Sequence, residues 1–205
     1  MRFLLFKQEV AAAMMAATWG EITGAPGICL STRGPGASNM VNGVSYAALD
    51  RAPLIAITDQ YDPATYSTGM RQRLNQLAMY EPLVKWSTTI NAKSVRQQVR
   101  RALRETTAPP PGPVHFEMPQ SETTREAGEY GGEAPLMANV VAIEPDRASL
   151  RAPLDLIAKA RRPIILVGLG ALWGHASEAV TAFAEHLDAP VLTTAKCKGV
   201  ISEDH

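Results

Sequence analysis

Residues 53–57 read Pro53-Leu54-Ile55-Ala56-Ile57, an apolar run with no polar position in it. Side chains of a strand point alternately to opposite faces, so a strand that is apolar at every position is buried on both. Such strands belong to parallel sheets covered by helices on each side, and the rest of the chain supplies the parts. Strands are predicted at 2–6, 26–30, 53–58, 84–88 and 113–118, and helices at 8–23, 36–49 and 93–107. The last helix carries Val95, Val99 and Leu103 at helical spacing and Arg96, Arg100 and Arg104 on another face, which reads as a solvated surface. The fold class is therefore α/β, a parallel sheet with helices on both faces.

A chain of 205 residues could hold one large domain or one and a half ordinary ones. Ser121, Thr123, Thr124, Gly128, Gly131, Gly132 and Pro135 break any periodicity, so 121–144 reads as a linker after a first domain at 1–120. A second, incomplete Rossmann-like α/β domain occupies 145–205. It is predicted to have a helix around Leu150, Leu154 and Ile157 that starts or kinks near Pro153. A strand at 163–167, a helix holding Ala176, Val180, Phe183, Ala184 and Leu187, and a strand at 189–192 follow.

Charge and composition remove several classes of function. Lys and Arg number 20 and Asp and Glu 20, so no net charge draws the chain to nucleic acid or to an acidic membrane. No apolar run is long enough to span a bilayer, and the stretch before Lys7 is too short for a signal peptide. Cys29, in a predicted buried strand, and Cys197, far along the chain, read as reduced thiols of a cytoplasmic protein. His115, His175, His186 and His205 show no metal-ligand spacing, so no metal site is expected.

Chemistry is concentrated at two predicted strand-to-helix junctions. Glu9 opens an Ala-rich helix after the first strand, and Gly34-Pro35-Gly36 follows the second strand, ahead of the helix that holds Asn39. In a parallel sheet such junctions share one edge, where ligands bind. A carboxylate and a glycine turn would then sit side by side. A buried carboxyl group shares a proton readily, whereas a helix N-terminus favours its anion. On spacing alone Glu9 also fits a first-turn acidic residue, and Gly-Pro-Gly an ordinary turn. No Lys follows the glycines, so this is not a phosphate loop.

An ordered series of segments resembles thiamine-diphosphate enzymes, in particular the acetolactate synthase-like group. The segments are Gln8-Glu9, Gly24-Ala25-Pro26-Gly27, Arg33-Gly34-Pro35-Gly36-Ala37-Ser38-Asn39, the stretches 50–60, 82–86 and 111–119, and then 162–168 and 198–205. The resemblance implies that Glu9 hydrogen-bonds a ring nitrogen of the cofactor's aminopyrimidine and promotes the tautomer that takes the thiazolium proton. It implies that Gly34, Pro35, Gly36 and Asn39 lie against that ring. Gln60, at the end of the third strand, and Gln72 would line the substrate channel, Gln72 reading equally well as a polar helix surface. This sequence departs from the family pattern at Gln8 (usually His), Lys7 (usually Arg), Arg33 (usually small), Arg71 (usually aromatic) and Arg73 (usually acidic).

The same resemblance implies a pyrimidine-binding domain lacking its first strand–helix unit, followed by part of a central domain. No Gly-Asp-Gly occurs in the sequence, so magnesium and the diphosphate would be held by a domain outside it. Only the aminopyrimidine end of thiamine diphosphate falls to this chain. FAD would fall to the central domain. Val167-Gly168-Leu169-Gly170 lacks the third glycine and the acidic residue of a dinucleotide fingerprint, so FAD is unsupported, as is an NAD-dependent oxidoreductase. The function implied is part of a carboligase or decarboxylase acting on a 2-oxo acid, as a homodimer or tetramer in full-length form. The alternative is a non-catalytic or truncated chain that needs another polypeptide to bind cofactor. Nucleic acid and membrane are not expected partners.

Overall fold

Leu54 and Ala56 of the all-apolar run belong to one buried cluster, and Ile55, with Ile57 packed against it, to another. That is the two-faced burial the run demands, and the helices arrange themselves around it. The computed structural model describes residues 3–129 and 144–205. The chain divides into two compact units, Met1–Val140 and Val141–His205.

The first unit runs α1 (Glu9–Thr23), β1 (Gly27–Ser31), α2 (Pro35–Leu49), β2 (Leu54–Gln60), α3 (Gln76–Tyr80), β3 (Ser87–Thr89), α4 (Val95–Thr107), β4 (Pro113–Pro119) and the short α5 (Gln120–Thr123). Its four strands lie in the order β1-β2-β4-β3, all parallel. The two longest strands, β2 and β4, take the centre, where both faces are covered. On one face Ala13 and Ala17 of α1 meet Ala37, Met40, Val44 and Ala47 of α2 above Leu54 and Ala56. Small side chains at those positions let the two helices approach closely. On the other face Ala102 of α4 closes over Ile55, Val114 and Phe116, with Trp86 and Leu103 alongside. Arg96 and Arg104 of α4 point to solvent, while Arg100 is half-buried and Arg101 lies over the Trp86 ring at 4.3 Å.

The predicted strand at 2–6 is not formed: residues 3–6 carry no strand, and Phe3, Leu4 and Leu5 are exposed. Apolar residues become a strand only where a neighbour accepts and donates ladder hydrogen bonds. Among the described residues the sheet stops at β1, which pairs with β2 alone. The strand predicted at 84–88 forms later, at Ser87–Thr89.

The second unit contains α6 (Arg147–Lys159), β5 (Ile165–Val167), α7 (Leu169–Trp173), α8 (Ser177–Leu187) and β6 (Val191–Thr193), with β5 and β6 parallel. Val167, Cys197 and Val200 form its small core, joined by Ile165, Leu169, Val180 and Val191. Of the two expectations about Pro153, a helix start there is overturned. The helix begins at Arg147, where the Asp146 side chain caps the Ala148 amide at 3.2 Å, and Pro153 lies inside it. Asp146 satisfies one amide at the helix start, and the proline ring forfeits one backbone bond within the helix. Most of the linker predicted at 121–144 lies outside the described residues. No helix among them is long and apolar enough to cross a membrane.

Candidate active site

Every strand of the first sheet runs the same way, so the segments leaving β1, β2 and β4 emerge at one edge. The turn after β1 is set by Gly34, whose φ of 64° and ψ of −112° suit a residue without a side chain. Pro35 then occupies the first turn of α2, where its missing N–H costs nothing. The N-termini of α1 and α2 lie together at this point. Asn39 Nδ2 donates to Glu9 Oε2 at 3.4 Å, a long contact. A methyl group added to Gly36 would come within 3.3 Å of Glu9 Oε1 and 2.7 Å of Thr32 Cγ2. Glu9, Gly34, Pro35, Gly36 and Asn39 are thus one constellation, with the Glu9 carboxylate half-buried above the glycine turn. Gln8, the residue before α1, makes no side-chain cap. The Glu9 carboxylate turns toward α2 and takes Asn39 as its hydrogen-bond partner.

Gln60 and Gln72 are placed differently from each other. Gln60 is buried, and its amide is consumed by other groups: Nε2 donates to Glu117 Oε1 at 2.9 Å, and Oε1 accepts from the Tyr61 N–H at 2.9 Å. Gln72 is exposed and lies on a loop rather than a helix, with a φ of 58°. Its backbone sits directly on the glycine turn, since a Cβ on Gly34 would meet Gln72 O at 2.5 Å. Arg33, beside the turn, is tied down by Asp59 at 2.8 Å and stacks on Tyr61 at 4.1 Å.

Beneath the turn runs a buried polar chain that the sequence analysis missed. The Gly34 N–H donates to Gln76 Oε1 at 3.0 Å. Gln76 Nε2 donates to Thr58 Oγ1 at 3.2 Å and to the Asp59 carbonyl at 3.0 Å. Thr58 Oγ1 meets His115 Nε2 at 2.9 Å, and His115 Nδ1 meets Ser87 Oγ at 2.8 Å. Burial pushes the His115 imidazolium down to about 3, so the ring is neutral. It stacks on Tyr80 at 4.0 Å, whose hydroxyl donates to the Ala37 carbonyl at 2.7 Å. The available signal was polar Thr58, His115 and Glu117 inside otherwise apolar strands, a pattern that buried polar groups produce when they are partnered.

Burial pushes the Cys29 thiol up to about 12, and its Sγ lies 3.4 Å from Met40 Sδ, so this cysteine is a packing residue rather than a nucleophile. Gly168 precedes α7 and Gly170 lies within it, and a Cβ on either would meet nothing within 4 Å. No close backbone approach requires glycine there. Among the described residues no group of three or more His, Cys, Asp or Glu is placed to hold a metal ion.

Two family models match the chain. The one described as thiamine pyrophosphate enzyme, N-terminal TPP binding domain, matches residues 1–79, and the one described as thiamine pyrophosphate enzyme, central domain, matches residues 150–205. The chain is 33% identical over 207 residues to a probable acetolactate synthase large subunit of Methanococcus aeolicus, covering 98% of this chain and 35% of that protein. It is 28% identical to the acetolactate synthase large subunit of Corynebacterium glutamicum, covering 100% of this chain and 33% of that protein. A third relative, the acetolactate synthase large subunit of Parasynechococcus marenigrum, is 30% identical, with 99% of this chain and 34% of the relative covered. The chain therefore spans about a third of the length of these relatives.

Proposed function

The chain belongs to the thiamine pyrophosphate enzyme family, and from that premise we propose that its first unit binds the aminopyrimidine end of thiamine diphosphate with Glu9 as the proton-sharing group. The observation that carries this reading is the meeting of Glu9, Gly36 and Asn39 at the paired N-termini of α1 and α2. The residues fit a flat polar ring. Without a side chain at Gly36 the turn closes tightly on Thr32 and Glu9, with no bulk between the turn and the carboxylate. The carboxylate keeps one long contact, to Asn39, and has acceptor capacity left for a ring nitrogen.

When bound, thiamine diphosphate supplies a carbon nucleophile that adds to a 2-oxo acid and then stores the electron pair released by decarboxylation. Glu9 would hold a proton at its carboxyl oxygen against the pyrimidine. The Gly34–Gly36 turn would set the plane of the ring, and Asn39 would orient the carboxylate. On this reading the reaction is a carboligation or decarboxylation, of transferase or lyase type, in the cytoplasm and in a homodimer or tetramer. The sequence contains no Gly-Asp-Gly, so magnesium and the diphosphate would be held by residues outside these 205, and the chain alone would be inactive. That same feature supports the second reading, a non-catalytic chain that works only beside another polypeptide.

The test is exchange of the thiamine C2 proton, followed by NMR in a protein that joins this chain to a diphosphate-binding part. Glu9→Gln keeps the shape but cannot share a proton, and exchange should fall by about 100- to 10,000-fold. Wild-type exchange in Glu9→Gln would leave Glu9 as a helix-end residue with no catalytic part.

A further inference from the structure

The glycine turn is braced from beneath by a side chain distant in sequence. Gly34 is buried, and its N–H points inward to Gln76 Oε1, 42 residues further along the chain. Gln76 has no exposed surface, and neither has Thr58 or His115 behind it. Gln76 Nε2 donates to Thr58 Oγ1, which also lies 2.9 Å from His115 Nε2, and His115 Nδ1 lies 2.8 Å from Ser87 Oγ. A hydroxyl both donates and accepts, so either tautomer of the neutral ring satisfies both contacts and keeps the chain from Gly34 to Ser87 continuous.

Resting on the reading of the Glu9 cluster as the cofactor site, we propose that Gln76 is a positioning residue for that site. It clamps the Gly34 amide and so holds the turn against Glu9, while Thr58, His115 and Ser87 fix the orientation of its own amide. Loss of the clamp would free a turn whose backbone angles only glycine readily adopts. Gly36 and Asn39, which follow on the same turn and helix, would then shift relative to the Glu9 carboxylate.

The experiment uses the 205-residue chain with no cofactor present, so it is independent of whether Glu9 proves catalytic. Exchange of the Gly34 amide proton and the side-chain amide resonance of Asn39 are followed by NMR. In the wild type the Gly34 amide should exchange slowly, alongside those of Ile55 and Val114; exchange at the free rate would overturn the proposal at once. Gln76→Met removes the acceptor at similar volume. It should speed Gly34 exchange by about tenfold or more relative to Ile55, and displace the Asn39 resonance. Gln76→Glu keeps an acceptor for the Gly34 amide but loses the donor that orients it, so Gly34 exchange should rise less than in Gln76→Met. An unchanged Gly34 amide in Gln76→Met, or equal loss in both variants, would show that Gln76 merely fills space.

Discussion

His115 makes the stability of the first unit depend on pH in a window that few other groups can reach. The ring is fully buried, stacked on Tyr80 and held between Thr58 and Ser87. Its protonation is pushed down to about 3 from the ordinary 6.5 by burial. Between those values the unfolded chain binds a proton that the folded chain refuses. Stability is therefore complete above about pH 6.5 and falls as the solution is acidified, by about 1.4 kcal/mol for each pH unit. From pH 7.5 to pH 5 the loss assigned to this one ring is about 2 kcal/mol, and no screening by solvent reduces it because the group is fully enclosed. The Asp62 carboxyl is held below its ordinary value by hydrogen bonds from Ser121, so it titrates lower down.

The assay is urea denaturation of wild type and His115→Gln at pH 7.5 and pH 5, at one protein concentration. His115→Gln forfeits the ring stacking and should be the weaker protein at pH 7.5. It lacks the titrating ring, so between the two pH values it should lose about 2 kcal/mol less than wild type. The three other histidines are common to both proteins and cancel. Parallel pH profiles would refute the reasoning, because they would mean that the folded protein protonates His115 as easily as the unfolded one.

Gly36→Ala should place a methyl group against Thr32 and Glu9, lowering stability by about 1–3 kcal/mol as an overpacked site does. The Asn39 side-chain resonance should move with it, and a melting temperature and Asn39 resonance both unchanged would count against the tight cradle. Trp19 and Ile22 of α1 and Ile28 and Leu30 of β1 are large apolar side chains at least half exposed, so the chain should self-associate at micromolar concentration. Light scattering from a monodisperse monomer would contradict that expectation.

The architecture was legible where one physical rule acted alone. The run 53–57 required burial on both faces, and the structure provides two clusters that divide its side chains. The predicted order of helices and strands from residue 8 to 118 survives, with boundaries moved by a few residues and the short α3 added. The failures came where a neighbour decides. Phe3, Leu4 and Leu5 are as apolar as any strand residue, but among the described residues nothing beyond β1 pairs with them. Within the site, Glu9 and Gly34-Pro35-Gly36 were readable because each marks a local junction, and junctions of a parallel sheet share an edge. Gln76 was not readable, since a glutamine at the start of a short helix looks like surface until the fold buries it.

The glycine turn shows why a motif is only half of a site. Gly34 can adopt its backbone angles because it lacks a side chain, but that freedom equally permits other conformations. Two outside contacts remove it. The backbone of Gln72 occupies the space where a Gly34 side chain would stand, and the amide of Gln76 takes the Gly34 N–H. Both come from the segment between β2 and the start of α3, which is itself secured by Asn75 capping the Ala78 amide and by Gln76 bonding to the Asp59 carbonyl. A turn that is permissive by composition is thus made specific by a segment some forty residues later. The catalytic reading of Glu9 depends on that segment, because a carboxylate has a defined partner only if the surface facing it does not move.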